Sequence, residues 1–444
     1  LIGGSRLALT GASVGLIYGY DLSIIAGAQL FVTHDFGLTT SQQELLTTMV
    51  VIGQIAGALG AGALANAIGR KKSIVLILVA YAAFALLGAF SVALPMLLVA
   101  RLLLGLTIGV MVVVVPVYVA ESAPAAVRGA LLTTYQLAIV SGLIVGYLAG
   151  YLLADTHSWR CMLGLAAVPA ILLLPLAIRL PDTARWYLLK GRADEARRAL
   201  LRVEPAANAD EELAEIHRAL SEESGGISEM LRPPYLRATM FVITLGFLLQ
   251  ITGINAIIYY SPRIFEAMGF TGDFALLALP ALVQVAGLAA VGAALTLVDR
   301  VGRRPILLCG IAMMIVADIV LAAVFAGGVG GAILGFAGIV LFIIGYTLGF
   351  GSLGWVYASE SFPTRLRSIG SSTMLTANLV ANAIVAAVFL TMLHSLGGTG
   401  TFAVFGALAV IAFGFVYRYA PETKGRQLED IRHFWENGGR WENP

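Results

Sequence analysis

Tyr118-Val119-Ala120-Glu121-Ser122-Ala123-Pro124-Ala125-Ala126-Val127-Arg128 recurs later in the chain as Tyr357-Ala358-Ser359-Glu360-Ser361-Phe362-Pro363-Thr364-Arg365-Leu366-Arg367. Tyr, Glu, Ser, Pro and Arg keep their places at an offset of 239 residues. Two further matches flank this one in order. Gly69-Arg70-Lys71 returns as Gly302-Arg303-Arg304 at an offset of 233, and Pro181-Asp182-Thr183 as Pro421-Glu422-Thr423 at 240. One such match arises by chance; three in order at nearly one offset indicate a duplicated unit.

The rest of the chain says what that unit is made of. Of 444 residues, 59% are hydrophobic and only 12% charged. Soluble domains carry roughly 25% charge, so this composition cannot cover a water-facing surface of such length. Apolar stretches long enough to span a bilayer recur twelve times, near 6–30, 43–67, 73–92, 95–120, 128–153, 160–180, 235–265, 274–298, 305–326, 332–357, 368–393 and 400–419. They lack the alternation of barrel strands, so the expected fold is an all-α membrane protein with two six-helix bundles. The expected divisions are 1–182, a cytoplasmic helical linker at 183–234, 235–422 and a tail at 423–444. In the linker, Asp194-Glu195-Ala196-Arg197-Arg198 and Asp210-Glu211-Glu212-Leu213 read as short amphipathic helices.

Lys and Arg sort by alternate connections. Arg70, Lys71, Lys72, Arg128, Arg179, Arg300, Arg303, Arg304, Arg365 and Arg367 fall in one set. The other set, 31–42, 92–95, 154–159, 266–273, 327–331 and 394–399, holds neither residue type. The positive-inside rule then puts both termini in the cytoplasm. Leu1 in place of a methionine reads as the mark of a short trimmed leader, and no secretory cleavage pattern follows it. A net charge of +2 gives no reason to expect a nucleic-acid partner. Cys161 and Cys309 read as buried free thiols.

No reactive cluster suggests an enzyme. The histidines, at 34, 157, 217, 394 and 433, show no metal-ligand spacing, and no phosphate-cradling loop with Lys and Ser/Thr is present. No metal or other cofactor is expected. Six plus six helices instead suit a transporter that alternates about a site near the bilayer midplane.

Two charges are out of place in hydrocarbon. Asp21 is 15 residues beyond Arg6, about 22 Å into the first span, and Arg101 is six residues, about 9 Å, into a fourth span entering from outside. In a core about 30 Å thick these depths coincide. A carboxylate there needs a partner, a proton or water, so Asp21 and Arg101 read as a proton-controlled pair. Amides within apolar helices are the second group to collect, because each both donates and accepts hydrogen bonds. These are Gln136 in the fifth span, Gln250 and Asn255 across Gly253 in the seventh, and Asn378 and Asn382 in the eleventh. Trp355 in the tenth offers a flat apolar face and one donor. A break at Gly253 would aim Gln250 and Asn255 inward. Asn382, Gln54, Gln284 and Asp318 read as structural.

A third group repeats between the halves at the basic ends: Glu121, Arg128, Glu360, Arg365 and Arg367, with Arg70, Asp299 and Arg303 nearby. Opposite charges there read as a cytoplasmic latch. The first half has Asn66-Ala67 where the second has Asp299-Arg300.

Several segments together carry a family resemblance: Arg101, Pro116-Val117-Tyr118-Val119-Ala120-Glu121, Pro181-Asp182-Thr183-Ala184-Arg185-Trp186, Gln250-Ile251-Thr252-Gly253-Ile254-Asn255, Asp299-Arg300-Val301-Gly302-Arg303-Arg304 and Pro421-Glu422-Thr423-Lys424-Gly425. Essentially the whole chain resembles the sugar porters of the major facilitator superfamily. The resemblance implies a monomeric, multi-pass plasma-membrane protein that imports a monosaccharide with protons by alternating access. It implies an Asp at position 21 in proton-coupled members, and sugar binding at Gln136, Gln250, Asn255, Trp355 and Asn378. Leu249 and Gly287 stand where the family usually has Gln and Asn, and 349–354 lacks the family's prolines. These departures suit a less hydroxylated or differently oriented substrate and a more pliable tenth helix. The alternatives are a uniporter, a proton symporter of a polyol or cyclitol such as inositol, and a sugar sensor on the same fold.

Overall fold

The computed structural model describes residues 2–123, 128–205, 208–222, 226–327, 330–426 and 428–441. Among the described residues, twelve helices are long and apolar enough to cross a membrane. The first six are Leu9–Phe36, Thr40–Ile68, Arg70–Ala89, Leu94–Ser122, Thr133–Leu152 and Trp159–Ile178. The second six are Leu236–Ala267, Phe274–Val301, Arg303–Phe325, Gly331–Glu360, Leu366–Ser395 and Gly397–Tyr419. Among the described residues there is no strand.

Local chemistry sets the ends. Gly37, with φ of 62°, closes the first span in the left-handed conformation. Thr39 and Gln42 then open the second with a reciprocal capping box, each side chain accepting from the other's backbone N–H.

The chain forms two compact units, Leu1–Glu222 and Glu223–Pro444. In the first, span one packs on span five, two on four, three on four and three on six. In the second, seven packs on eleven, eight on ten, nine on ten and nine on twelve. The second set is the first advanced by six, so the duplication seen in the motifs is also a duplication of packing. Small residues permit the close approaches: a Cβ at Gly53 would stand 2.1 Å from the Leu102 carbonyl, and one at Gly109 2.2 Å from that of Gln54.

The amphipathic linker helices form Ala184–Leu189, Ala193–Val203 and Ala209–Glu222. Ala184, Ala196, Ala199, Leu200 and Ala209 make a small apolar core among them. These helices group with the first unit, and Ile227–Met230 with the second.

One expectation needs correction. Cys161 and Cys309 are exposed rather than buried, because they lie on helix faces that no other helix of their unit covers. An apolar environment in the sequence therefore marks a lipid-facing position as readily as a core one. The arginine-free set of connections also stops just short of a charge. Arg160 donates to the carbonyls of Ala89 (3.0 Å) and Ser91 and covers the Trp159 ring at 4.2 Å, while Trp159 donates to Asp35 at 2.8 Å. Arg263, in the seventh span, pairs with Glu266 at 3.5 Å.

Candidate transport site

Asp21 and Arg101 meet, as the depth argument required. Arg101 Nη1 donates to Asp21 Oδ1 at 2.9 Å, and Nη2 reaches Oδ2 at 3.5 Å. The first and fourth spans bury the pair, with Asp21 1% and Arg101 3% exposed. A small cavity, about large enough for one water, is lined by Asp21, Arg101, Phe84, Ala85 and Leu163. Arg101 Nε has no partner among the described residues. The sequence reading missed Tyr81, a fully buried phenol whose oxygen also has no partner among the described residues and which lies within electrostatic reach of both charges. Its one signal was a hydroxyl set among Ala and Leu in the third span. In so dry a setting a bidentate charged pair is strong while intact, and a proton on Asp21 removes most of the attraction.

The second unit assembles its amides on a broken helix. The seventh span runs as Leu236–Ile251 and Ile254–Ala267, interrupted at Gly253 with φ of 103°. Only glycine fits there, since a Cβ would also stand 2.9 Å from the Phe405 ring. Gln250 thus lies in the last turn of one piece and Asn255 in the first turn of the next. Both are buried, as is Asn378. Gln250 Oε1 and Asn378 Nδ2 have no partner among the described residues. Asn382 Nδ2 donates to the Tyr259 hydroxyl at 3.1 Å, although its Oδ1 likewise has no partner among the described residues, while Tyr260 donates to the Ala386 carbonyl at 2.8 Å. Both tyrosines therefore tie the seventh span to the eleventh.

Trp355 is 37% exposed and follows a π-helical turn at Thr347–Gly351, the structural expression of the proline-free run in the tenth span. Leu249 fills space that Gly354 leaves, its Cδ1 lying 2.5 Å from where a Cβ would stand. At Gly287 a side chain would meet Ile343 at 3.0 Å. Gln136, in the fifth span of the first unit, is exposed.

At the basic end of the first unit, Arg70 Nε and Nη2 donate to Glu121 at 3.1 and 3.2 Å. The Thr183 hydroxyl also donates to Glu121, and Arg185 stands 3.7 Å from it. Arg70 Nη1 donates to Asn66 at 2.9 Å. Asp182 accepts the backbone N–H groups of Arg70 and Lys71 at 2.7 and 3.1 Å, capping the third span. Burial pushes the Asp182 carboxyl above the usual carboxylate range, although those N–H groups pull the other way. Tyr118 donates to the Pro181 carbonyl at 3.3 Å.

The second unit repeats the frame. Glu422 accepts the N–H groups of Arg303 and Arg304 at 3.0 and 3.1 Å, Tyr357 donates to the Pro421 carbonyl at 2.9 Å, and Asp299 pairs with Arg303 at 3.3 Å. Glu360 Oε2, Arg303 Nε, and Arg367 Nε and Nη2 have no partner among the described residues. The described ion pairs of the expected latch each join residues of one unit. The side chains of Arg128 and Arg365 lie outside the described residues.

Comparison with known proteins accords with this arrangement. The family model "Sugar (and other) transporter" matches residues 7–435. A galactose-proton symporter of Escherichia coli (strain K12) is 36% identical over 425 residues, covering 95% of this chain and 92% of that protein. An arabinose-proton symporter of the same strain is 34% identical over 436 residues, covering 96% and 92%. The solved structure of the proton:xylose symporter XylE bound to 6-bromo-6-deoxy-D-glucose superimposes with a TM-score of 0.81 at 25% identity, covering 98% of this chain and 99% of that one. The chain is a member of the sugar porter family of the major facilitator superfamily.

Proposed function

We propose that this protein imports a monosaccharide together with protons by alternating access, as a transporter and not an enzyme. The observation that carries the reading is the buried Asp21–Arg101 pair, a titratable carboxylate held by an arginine inside a membrane span. The names of the galactose- and arabinose-proton symporters support the same coupling. A proton arriving at Asp21 frees Arg101 and shifts the balance between two conformations. Loss of that proton on the other side restores the pair and resets the cycle.

In this reading Gln250, Asn255 and Asn378 exchange hydrogen bonds with substrate hydroxyls, Trp355 covers an apolar face of the ring, and Gln136 is a further sugar ligand. Unpartnered amide atoms at Gln250 and Asn378 support it, because a ligand supplies the bonds those atoms lack. Glu121, Arg128, Glu360, Arg365, Arg367, Arg70, Asp299 and Arg303 form the latch. The protein is a monomer in the cell membrane with both termini cytoplasmic.

Leu249 favours a second reading. Packed against Gly354, it removes a polar contact from the substrate's surroundings, which suits a polyol or cyclitol such as inositol. Competition of a panel of pentoses, hexoses and cyclitols for uptake separates the two. Asp21→Asn tests the coupling: the variant exchanges substrate in counterflow but does not accumulate it. A variant that still accumulates substrate uphill sinks the proposal.

A further inference from the structure

Asp318 stands in the second half of the ninth span, Arg303–Phe325. It is 1% exposed, and neither carboxylate oxygen has a hydrogen-bond partner among the described residues. The neighbouring surface is apolar: a Cβ at Gly406 of the twelfth span would stand 3.3 Å from Asp318 Cβ. Small residues thus bring helix against helix directly at the carboxyl.

The charged and titratable groups of every span packed on the ninth are remote. The twelfth span carries Tyr417, Arg418 and Tyr419 only in its last turn, and Arg418 is about 18 Å along the helix from Gly406. The tenth offers Tyr346, and Tyr357 and Glu360 at its basic end. Gly345, next to Tyr346, packs on Gly310, about 12 Å along the helix from Asp318. The eighth carries Asp299 and Arg300 in its last turn. On the ninth itself, Arg303 and Arg304 lie about 21 Å away at the helix start, and Cys309 is exposed on another part of the surface.

The internal repeat sharpens the contrast. The offset of 233 that relates Gly69-Arg70 to Gly302-Arg303 at the starts of these two helices places Asp318 over Ala85. Ala85 lines the cavity beside Asp21 and Arg101. The first unit therefore keeps its carboxyl next to an arginine, and the second keeps one that no cation among the described residues reaches. An ionised carboxylate without a cation or a hydrogen bond from the protein is too costly for such a site, whereas a neutral acid is tolerable.

We propose that Asp318 is a proton-binding site of the second unit, a carboxylic acid that holds its proton at neutral pH and must hold it for the ninth and twelfth spans to stay in contact. Deprotonation at alkaline pH sets a bare charge between the two helices and loosens them. The proposal is independent of the transport reading.

Infrared difference spectroscopy on the purified full-length protein tests it, with Asp318→Asn subtracted from the parent. Asp21 is common to both and cancels. At neutral pH the difference contains the C=O stretch of a protonated carboxylic acid and no carboxylate bands. Asp318→Leu, which needs no hydrogen bond, gives the same difference and guards against misfolding of the amide variant. Thermal unfolding in detergent supplies a second readout: the parent loses stability as the pH becomes alkaline, and both variants lose less. Carboxylate bands in the difference, with no acid band, overturn the proposal, as do parallel stability profiles of parent and variants at high pH.

Discussion

Glu121 and Glu360 hold equivalent places in the repeat, yet their surroundings differ. Glu121 accepts from Arg70 through two nitrogens and from Thr183, whereas Glu360 Oε2 accepts nothing among the described residues. Asn66 takes one nitrogen of Arg70 as a neutral acceptor, where Asp299 takes Arg303 as a charged one. That exchange leaves Arg70 free to serve Glu121 bidentately. Deeper in the membrane, Asp21 and Arg101 form an ion pair in the first unit, while Gln250 Oε1 and Asn378 Nδ2 in the second are left open, as are Arg101 Nε and the Gln54 amide of the first unit. A closed pair is costly to break and suits a switch; open amides suit a ligand that closes them.

Breaking the closed pair has the largest effect. Arg101→Ala leaves Asp21 buried without a cation, and thermal unfolding in detergent registers a loss of about 3–5 kcal/mol. Adding Asp21→Asn recovers most of it. If the single variant is as stable as the parent, the pair is not a strong one.

The two glutamates come next. Glu121→Gln strands Arg70 and destabilises the protein by about 2–3 kcal/mol, whereas Glu360→Gln costs roughly 1 kcal/mol or less, since one of the Glu360 oxygens has no hydrogen-bond partner among the described residues. Equal losses in the same unfolding assay erase the difference between the units.

The amides on either side of Gly253 give a smaller effect, on binding. Gln250→Ala and Asn255→Ala each weaken substrate binding by about ten-fold, within the roughly 1–3 kcal/mol range for a buried hydrogen bond. Asn382→Ala changes it less, because Asn382 already serves Tyr259. Equilibrium binding of labelled substrate to the purified variants decides, and equal small effects relocate the site.

Much of this was legible in the sequence. Runs of apolar residues gave the spans, and three spaced motifs gave the duplication, because both signals are local or periodic. Gly253 between two amides foretold the helix break, since glycine is the residue that tolerates the left-handed turn found there. Asp21 and Arg101 could be paired by depth because a helix converts residue count into distance. Contacts that depend on how spans are brought side by side were not legible. Asp182 caps a helix 112 residues before it, and Thr183 joins Glu121 across 62. In the sequence Asn66 is only the residue that stands where the second half has Asp299, and only its geometry reveals it as an acceptor for Arg70. Asp318 read as structural because one acid in an apolar run says nothing about whether a partner lies opposite. The two cysteines were misplaced for a related reason: hydropathy does not distinguish a face turned to lipid from one turned to another helix.

The central claim is that proton binding at a membrane-buried carboxylate drives sugar movement. Its most direct test is uptake of labelled sugar into proteoliposomes of the parent protein, acid outside, against the same vesicles with the pH gradient dissipated. The account predicts transient accumulation above the external concentration in the first case and simple equilibration in the second. Equal uptake under both conditions, or no uptake of any sugar or polyol, contradicts it.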